Sequence, residues 1–151
     1  MKAFKQLMFA VAGFGFVAAT PVALAQETPT AAPAGVKLVD ATAVQALQGK
    51  GAVLVDTRRA GEFAEGTIKG AISVPYDPEK SAKDANFDSS QDKYDLGKLA
   101  DKNKDYVLFC NSGTCWKSYK AAVVMAKNGY KNLHWYRNGV PDWKARKLPM
   151  E

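Results

Sequence analysis

The chain has 151 residues, of which 47% are hydrophobic and 24% charged, enough for one ordinary domain of about 100 to 150 residues and too few for two independently folded units. That balance also excludes a disordered or collagen-like chain. The formal net charge is +6, but the lysines are scattered from Lys37 to Lys147, which argues against a nucleic-acid-binding surface and leaves small anions as the ligands a mildly basic protein would take.

Met1 to Ala25 has the layout of an export signal. Lys2 and Lys5 form a positive start, Leu7 to Leu24 carries no charge, and Ala23-Leu24-Ala25 supplies the small-x-small cleavage pattern. Cleavage after Ala25 would expose Gln26, lower the net charge from +6 to +4 by removing the two lysines, and deliver the remainder to the periplasm with no membrane attachment. Residues 26–35, QETPTAAPAG, lack apolar periodicity and predict a flexible leader. The domain proper is expected over residues 36–151.

Val36 to Val39 predicts a short strand, and Asp40 caps a helix from Ala41 to about Leu47. Ala52 to Val55 is an apolar run bounded by Gly51 and Asp56, as expected of a strand buried on both faces. TRRAGEFAEG then predicts a short helix with Phe63 inward, and Ala71 to Val74 another strand. Tyr76 to Asp105 is rich in Asp, Lys and Ser and predicts a solvated excursion with a modest helix around Leu96 to Leu99. Tyr106 to Phe109 re-enters the core, and Trp116 to Lys127 has helical spacing with Ala121, Val124 and Met125 on one face. Asn132 to Tyr136 is a fifth strand and Pro141 to Ala145 a last helical turn. This alternation predicts an α/β fold, a five-stranded mainly parallel sheet with helices on both faces.

Cys110 ends the fourth strand and is followed by Asn111-Ser112-Gly113-Thr114-Cys115, after which the helix opens at Trp116. Loops at the carboxyl ends of parallel strands present free amides and a positive helix end to ligands. A sulfur held there ionises more readily, and the thiolate is the reactive species. Outside the cytosol the two cysteines can also oxidise. A passive bridge and a reactive pair both fit the spacing, although so short a loop gains little stability from closure.

Three ordered blocks, VLVDTRRAGEFAEGTIKGAISVP, YVLFCNSG and GYKNLHWYRNGVPDWKARKLP, together resemble the rhodanese family of sulfurtransferases. The resemblance implies a rhodanese-like fold, no cofactor, small anionic sulfur compounds as substrates, and Cys110 as the residue that carries sulfane sulfur as a persulfide. Asn111, Ser112, Gly113, Thr114, Trp116 and Lys117 would line the substrate site, with Asp56 and Arg58 structural.

The loop departs from the family's usual Cys-x-x-Gly-x-Arg-Ser. Gly113 is in place, Cys115 stands where Arg is common, and Ser118 falls two residues late. CWKSYKAA resembles instead an exported rhodanese-like subgroup with a Cys-Trp motif, some members of which are associated with quinoprotein (PQQ) alcohol catabolism. Without the loop Arg, the case for efficient thiosulfate turnover weakens, and Lys117, Lys120 and Arg137 remain as candidate cations. Cys115 could instead resolve a persulfide on Cys110, releasing sulfide and leaving a disulfide that a periplasmic redox partner would reduce. The competing reading is a non-catalytic accessory or thiol-disulfide redox protein. Position 116 is Trp, which disfavours a Cys-x5-Arg phosphatase. No metal site is expected, since His134 sits in a strand and two cysteines complete at most three ligands.

Overall fold

The computed structural model describes residues 26–151, so the export-signal segment lies outside the described residues. The apolar runs become β1 (Val36–Leu38), β2 (Val53–Asp56), β3 (Ile72–Ser73), β4 (Asp105–Phe109) and β5 (Asn132–Tyr136), joined by α1 (Ala41–Gly49), α2 (Ala60–Ala64), α3 (Trp116–Lys127) and α4 (Gly139–Ala145). The strands form one sheet in the order β1-β5-β4-β2-β3, and every pairing is parallel. The sheet is therefore wholly parallel among the described residues, as connections through helices and a long excursion require.

β4 lies at the centre. Asp56, Phe109 and Tyr136 stand in register at the carboxyl ends of β2, β4 and β5. Alternation along β4 separates two cores. Val107 and Phe109 face Ala41 and Val44 of α1 and Val140 and Trp143 of α4, whereas Tyr106 and Leu108 face Ala121, Ala122 and Met125 of α3. Each such large apolar side chain contributes about 1.5–3 kcal/mol by leaving water. Helices thus cover both faces, as the continuous apolar strands require. Asp40 caps α1 as expected, accepting a hydrogen bond from the Ala43 amide at 2.8 Å.

Two expectations need correction. The excursion between β3 and β4 holds only 3-10 turns, at Ser89–Gln91 and at Leu96–Lys98, the place of the expected helix. It is also less solvated than its composition suggests. Tyr76 and Leu99 are fully buried in the α3-side core, and Asp92 accepts hydrogen bonds from the Tyr76 hydroxyl and the Ser81 amide at 2.7 and 2.8 Å. The second correction concerns residues 26–35. The leader is docked: Thr28 and Pro33 are buried, and the Thr28 amide donates to the Gly113 carbonyl at 2.7 Å. Its contacts run through backbone polar groups, which leave no hydrophobic periodicity to read. Among the described residues no helix is long and apolar enough to cross a membrane.

Candidate functional site

Two groups of bonds hold the carboxyl edge of β4. Thr57, just past β2, donates both its amide and its hydroxyl to the Phe109 carbonyl, at 3.1 and 2.9 Å. On the other side the Val140 amide of α4 donates to the Cys110 carbonyl at 2.9 Å. That approach depends on Gly139, whose φ is +60° and where a Cβ would collide with the Cys110 carbonyl. Bonds from the segments that follow β2 and β5 thus hold the backbone at Cys110, and the residue is 1% exposed.

From Cys110 the chain curls into a tight loop. The Cys115 amide donates to the Ser112 carbonyl at 3.0 Å, and the Ser112 and Thr114 hydroxyls lie 2.9 Å apart. The Asn111 side-chain amide donates to Glu62 Oε1 at 2.7 Å, tying the loop to α2. That bond, helped by the Arg59 amide and the nearby Arg58 and Lys117 charges, holds the Glu62 carboxyl below its ordinary value against the opposing effect of burial. Among the described residues, the amides of Asn111, Ser112 and Gly113 have no acceptor. Cys115 is the N-cap of α3, and no side chain caps that helix. The loop therefore concentrates unpaired N–H groups and the positive end of a 12-residue helix around one small volume. Cys110 and Cys115 are joined by a disulfide, with their Cα atoms 6.2 Å apart. The two sulfurs meet without leaving the loop.

The other candidate residues separate into different environments. Trp116 is 2% exposed. Its indole N–H donates to the Gln26 carbonyl at 2.7 Å, and its ring packs edge-on against Tyr119, so it forms a wall behind the loop. Lys117 turns away toward the excursion: its ammonium donates to the Tyr76 carbonyl at 2.8 Å and lies 3.6 Å from Glu79. Ser118 accepts from the Trp135 indole at 3.0 Å inside the core. Asp56 and Arg58 form a buried pair at 2.6 Å, closed by Thr67 and the Gly66 carbonyl, a bracing arrangement beneath α2. His134 bonds Asp105 at 2.8 Å, and among the described residues no group of three or more metal-ligating side chains gathers.

The other two candidate cations take places that the sequence does not reveal. Lys120 is fully buried, with its ammonium 2.9 Å from Glu79 and 3.0 Å from the Ser81 hydroxyl; its partners come from about forty residues upstream in a stretch that reads as solvated. Arg137, the first residue after β5, lies against the loop. A Cβ on Gly113 would stand 2.6 Å from the Arg137 guanidinium carbon. Its Nε donates to Thr28 Oγ1 and to the Pro29 carbonyl, both at 3.1 Å, and its Nη2 to the Thr28 carbonyl at 3.0 Å. Nothing in the sequence pairs residue 28 with residue 137.

Residues 40–146 match the family described as the rhodanese-like domain. A protein of Schizosaccharomyces pombe with the provisional name of a mitochondrial thiosulfate sulfurtransferase is 28% identical over 97 residues, which is 64% of this chain and 66% of that protein. The tRNA uridine(34) hydroxylase of Yersinia pestis is 29% identical over 103 residues, 66% of this chain but 26% of the hydroxylase. The chain thus spans less than two thirds of either relative. Among solved structures, a thiosulfate sulfurtransferase from Pseudomonas aeruginosa superposes with a TM-score of 0.54 at 25% identity, over 77% of this chain and 20% of that one. A protein from Bacillus halodurans reaches 0.58 at 22% identity, over 76% of each chain. With the family match running from the α1 cap to the end of α4, the chain belongs to the rhodanese-like family of sulfurtransferase-related proteins.

Proposed function

We propose that the protein is an exported, periplasmic sulfurtransferase or sulfane-sulfur carrier in which Cys110 bears the sulfur and Cys115 resolves it. The observation that carries this reading is the pairing of Cys110 with Cys115 at the uncapped start of α3. In the reduced protein the Cys110 thiolate attacks the outer sulfur of thiosulfate. The sulfur-sulfur bond of thiosulfate breaks, sulfite leaves, and Cys110 becomes a persulfide whose negative charge the loop amides receive. The Cys115 thiolate then attacks Cys110 Sγ, the outer sulfur departs as hydrosulfide, and the disulfide forms. The sulfane sulfur has been reduced by the two thiols, so an external dithiol must reduce the bridge before the next turnover. Cys115-Trp116 supports placing the chain with the exported Cys-Trp subgroup.

Mass spectrometry tests the reading. Reduced protein exposed to thiosulfate, and separately to polysulfide, should pass through a Cys110 persulfide, one sulfur atom heavier, and end as the disulfide with one hydrosulfide released per chain. Cys115→Ser should hold that persulfide, and Cys110→Ser should gain none. If only the disulfide forms with either donor and neither variant retains sulfur, the protein is a thiol-disulfide carrier or accessory protein.

A further inference from the structure

Arg137 is placed as a bystander would not be. Its guanidinium packs flat on the middle residue of the cysteine loop, close enough that any side chain at Gly113 would displace it. Two of its three nitrogens are occupied by the docked leader, through Thr28, Pro29 and Glu27, and among the described residues Nη1 has no partner. Thr28 belongs to the same assembly. It is 3% exposed, and both its amide and its hydroxyl donate to the Gly113 carbonyl at 2.7 Å, while that hydroxyl accepts from Arg137. Arg137 also lines a cleft of about 550 Å³ with Thr30, Asp40 and Asn138. Arg137 therefore borders both an open cleft and the loop.

The neighbouring charges leave it a cation for the site. Glu27 is 3.2 Å from Nη2 but is 71% exposed at its side chain, so water screens it. Asp40 spends one carboxylate oxygen on the α1 cap. Glu62 is engaged with Asn111 and Arg59, and Lys117 and Lys120 are committed to Glu79 and Ser81.

We infer that Arg137, held in place by Thr28 and the leader, recognises the anionic sulfur donor at the Cys110 loop. The inference rests on the proposed sulfur loading of Cys110 and adds the determinant of donor charge. The cation arrives from the end of β5 instead of from within the loop, which leaves position 115 open for a second thiol. Thr28 is a positioning residue, fixing the guanidinium through its hydroxyl and the loop through Gly113.

The test compares donors of different charge in the reduced Cys115→Ser protein, where Cys110 reacts once and stays modified. Thiosulfate, a dianion, loads a persulfide and releases sulfite. Methyl methanethiosulfonate, which is neutral, transfers its methylthio group to the same thiolate and releases methanesulfinate. Rates are compared per thiolate, after the Cys110 titration of each variant has been followed by thiolate absorbance. Arg137→Gln should slow loading from thiosulfate by about tenfold or more, change the neutral reaction less than about twofold, and flatten the salt dependence of the thiosulfate rate. Arg137→Lys should keep part of the thiosulfate rate, and Thr28→Val should lower it severalfold with the charge still present. Thermal midpoints and near-ultraviolet circular dichroism confirm that each variant is folded. Equal slowing with both donors, or no slowing with either, overturns the inference and makes Arg137 a clamp for the leader. Reaction with the neutral reagent but no loading from thiosulfate in the Cys115→Ser protein that carries no other substitution overturns the sulfur-loading reading, and this inference with it.

Discussion

Lys120→Met should destabilise the protein far more than a surface lysine would. Lys120 is fully buried on α3, and its ammonium contacts Glu79 at 2.9 Å and the Ser81 hydroxyl at 3.0 Å while lying over the Phe87 ring at 5.4 Å. Methionine preserves most of the volume, so the cavity contribution is small. What remains is Glu79, 6% exposed at its side chain, deprived of its nearest cation. Removing one partner of a buried pair costs about 3–5 kcal/mol. The lower end applies, because Lys117 still lies 3.6 Å from Glu79 and Asp92 is satisfied independently by Tyr76, Ser81 and Lys80. With a urea dependence of about 1.5 kcal/mol per molar, a loss of about 3 kcal/mol lowers the unfolding midpoint by about 2 M. Adding Glu79→Gln should restore at least about 1.5 kcal/mol, since the stranded charge is then gone. A loss below about 1 kcal/mol for the single variant, or a double variant as unstable as the sum of the two singles, would show that the pair is not coupled and that the excursion is held to α3 by its apolar contacts alone.

Gly139→Ala should cost more than about 2 kcal/mol, because a Cβ there strikes the Cys110 carbonyl from a backbone with φ of +60°; thermal unfolding measures the loss, and loading of Cys110 should fall in the protein that remains folded. Arg58→Ala strands the fully buried Asp56 and should lower stability by about 3 kcal/mol or more, while the folded protein still loads sulfur at close to the parent rate; a selective loss of loading at unchanged stability would make the pair part of the site. Glu62 titrates below its ordinary value of 4.5 because Asn111 bonds the carboxylate. Its contribution to stability is therefore present above pH 4.5 and is lost as pH falls through the depressed folded value. Carbon-detected NMR should place its midpoint below 4.5 in the parent and closer to 4.5 in Asn111→Ala.

The fold was legible because its strands are written as apolar runs with punctuation. Val53 to Val55 sits between Gly51 and Asp56, and Tyr106 to Phe109 stops at Cys110, so the carboxyl edge, and the cysteine on it, could be placed before any coordinate. Gly139 and Trp143 lie four residues apart on α4, and the structure uses the first to let the helix start against Cys110 and the second to fill the core behind it. The electrostatics of the site were legible only as a choice among Lys117, Lys120 and Arg137, since sequence proximity misleads on a helix. Lys117 follows Cys115 by two positions, and at about 100° per residue such a side chain points to nearly the opposite side; it reaches the Tyr76 carbonyl and Glu79. Arg137 is more than twenty residues away and yet rests on Gly113, because parallel pairing sets the ends of β4 and β5 side by side. The leader was misread on the same principle. Ala, Pro and Thr have no periodic apolar face to announce a docking segment, but Thr28 carries an amide and a hydroxyl, and the Gly113 carbonyl accepts both. With a thiol at position 115 the loop from Cys110 to Cys115 carries no cation of its own, and the strand order brings one, Arg137, against it from the end of β5.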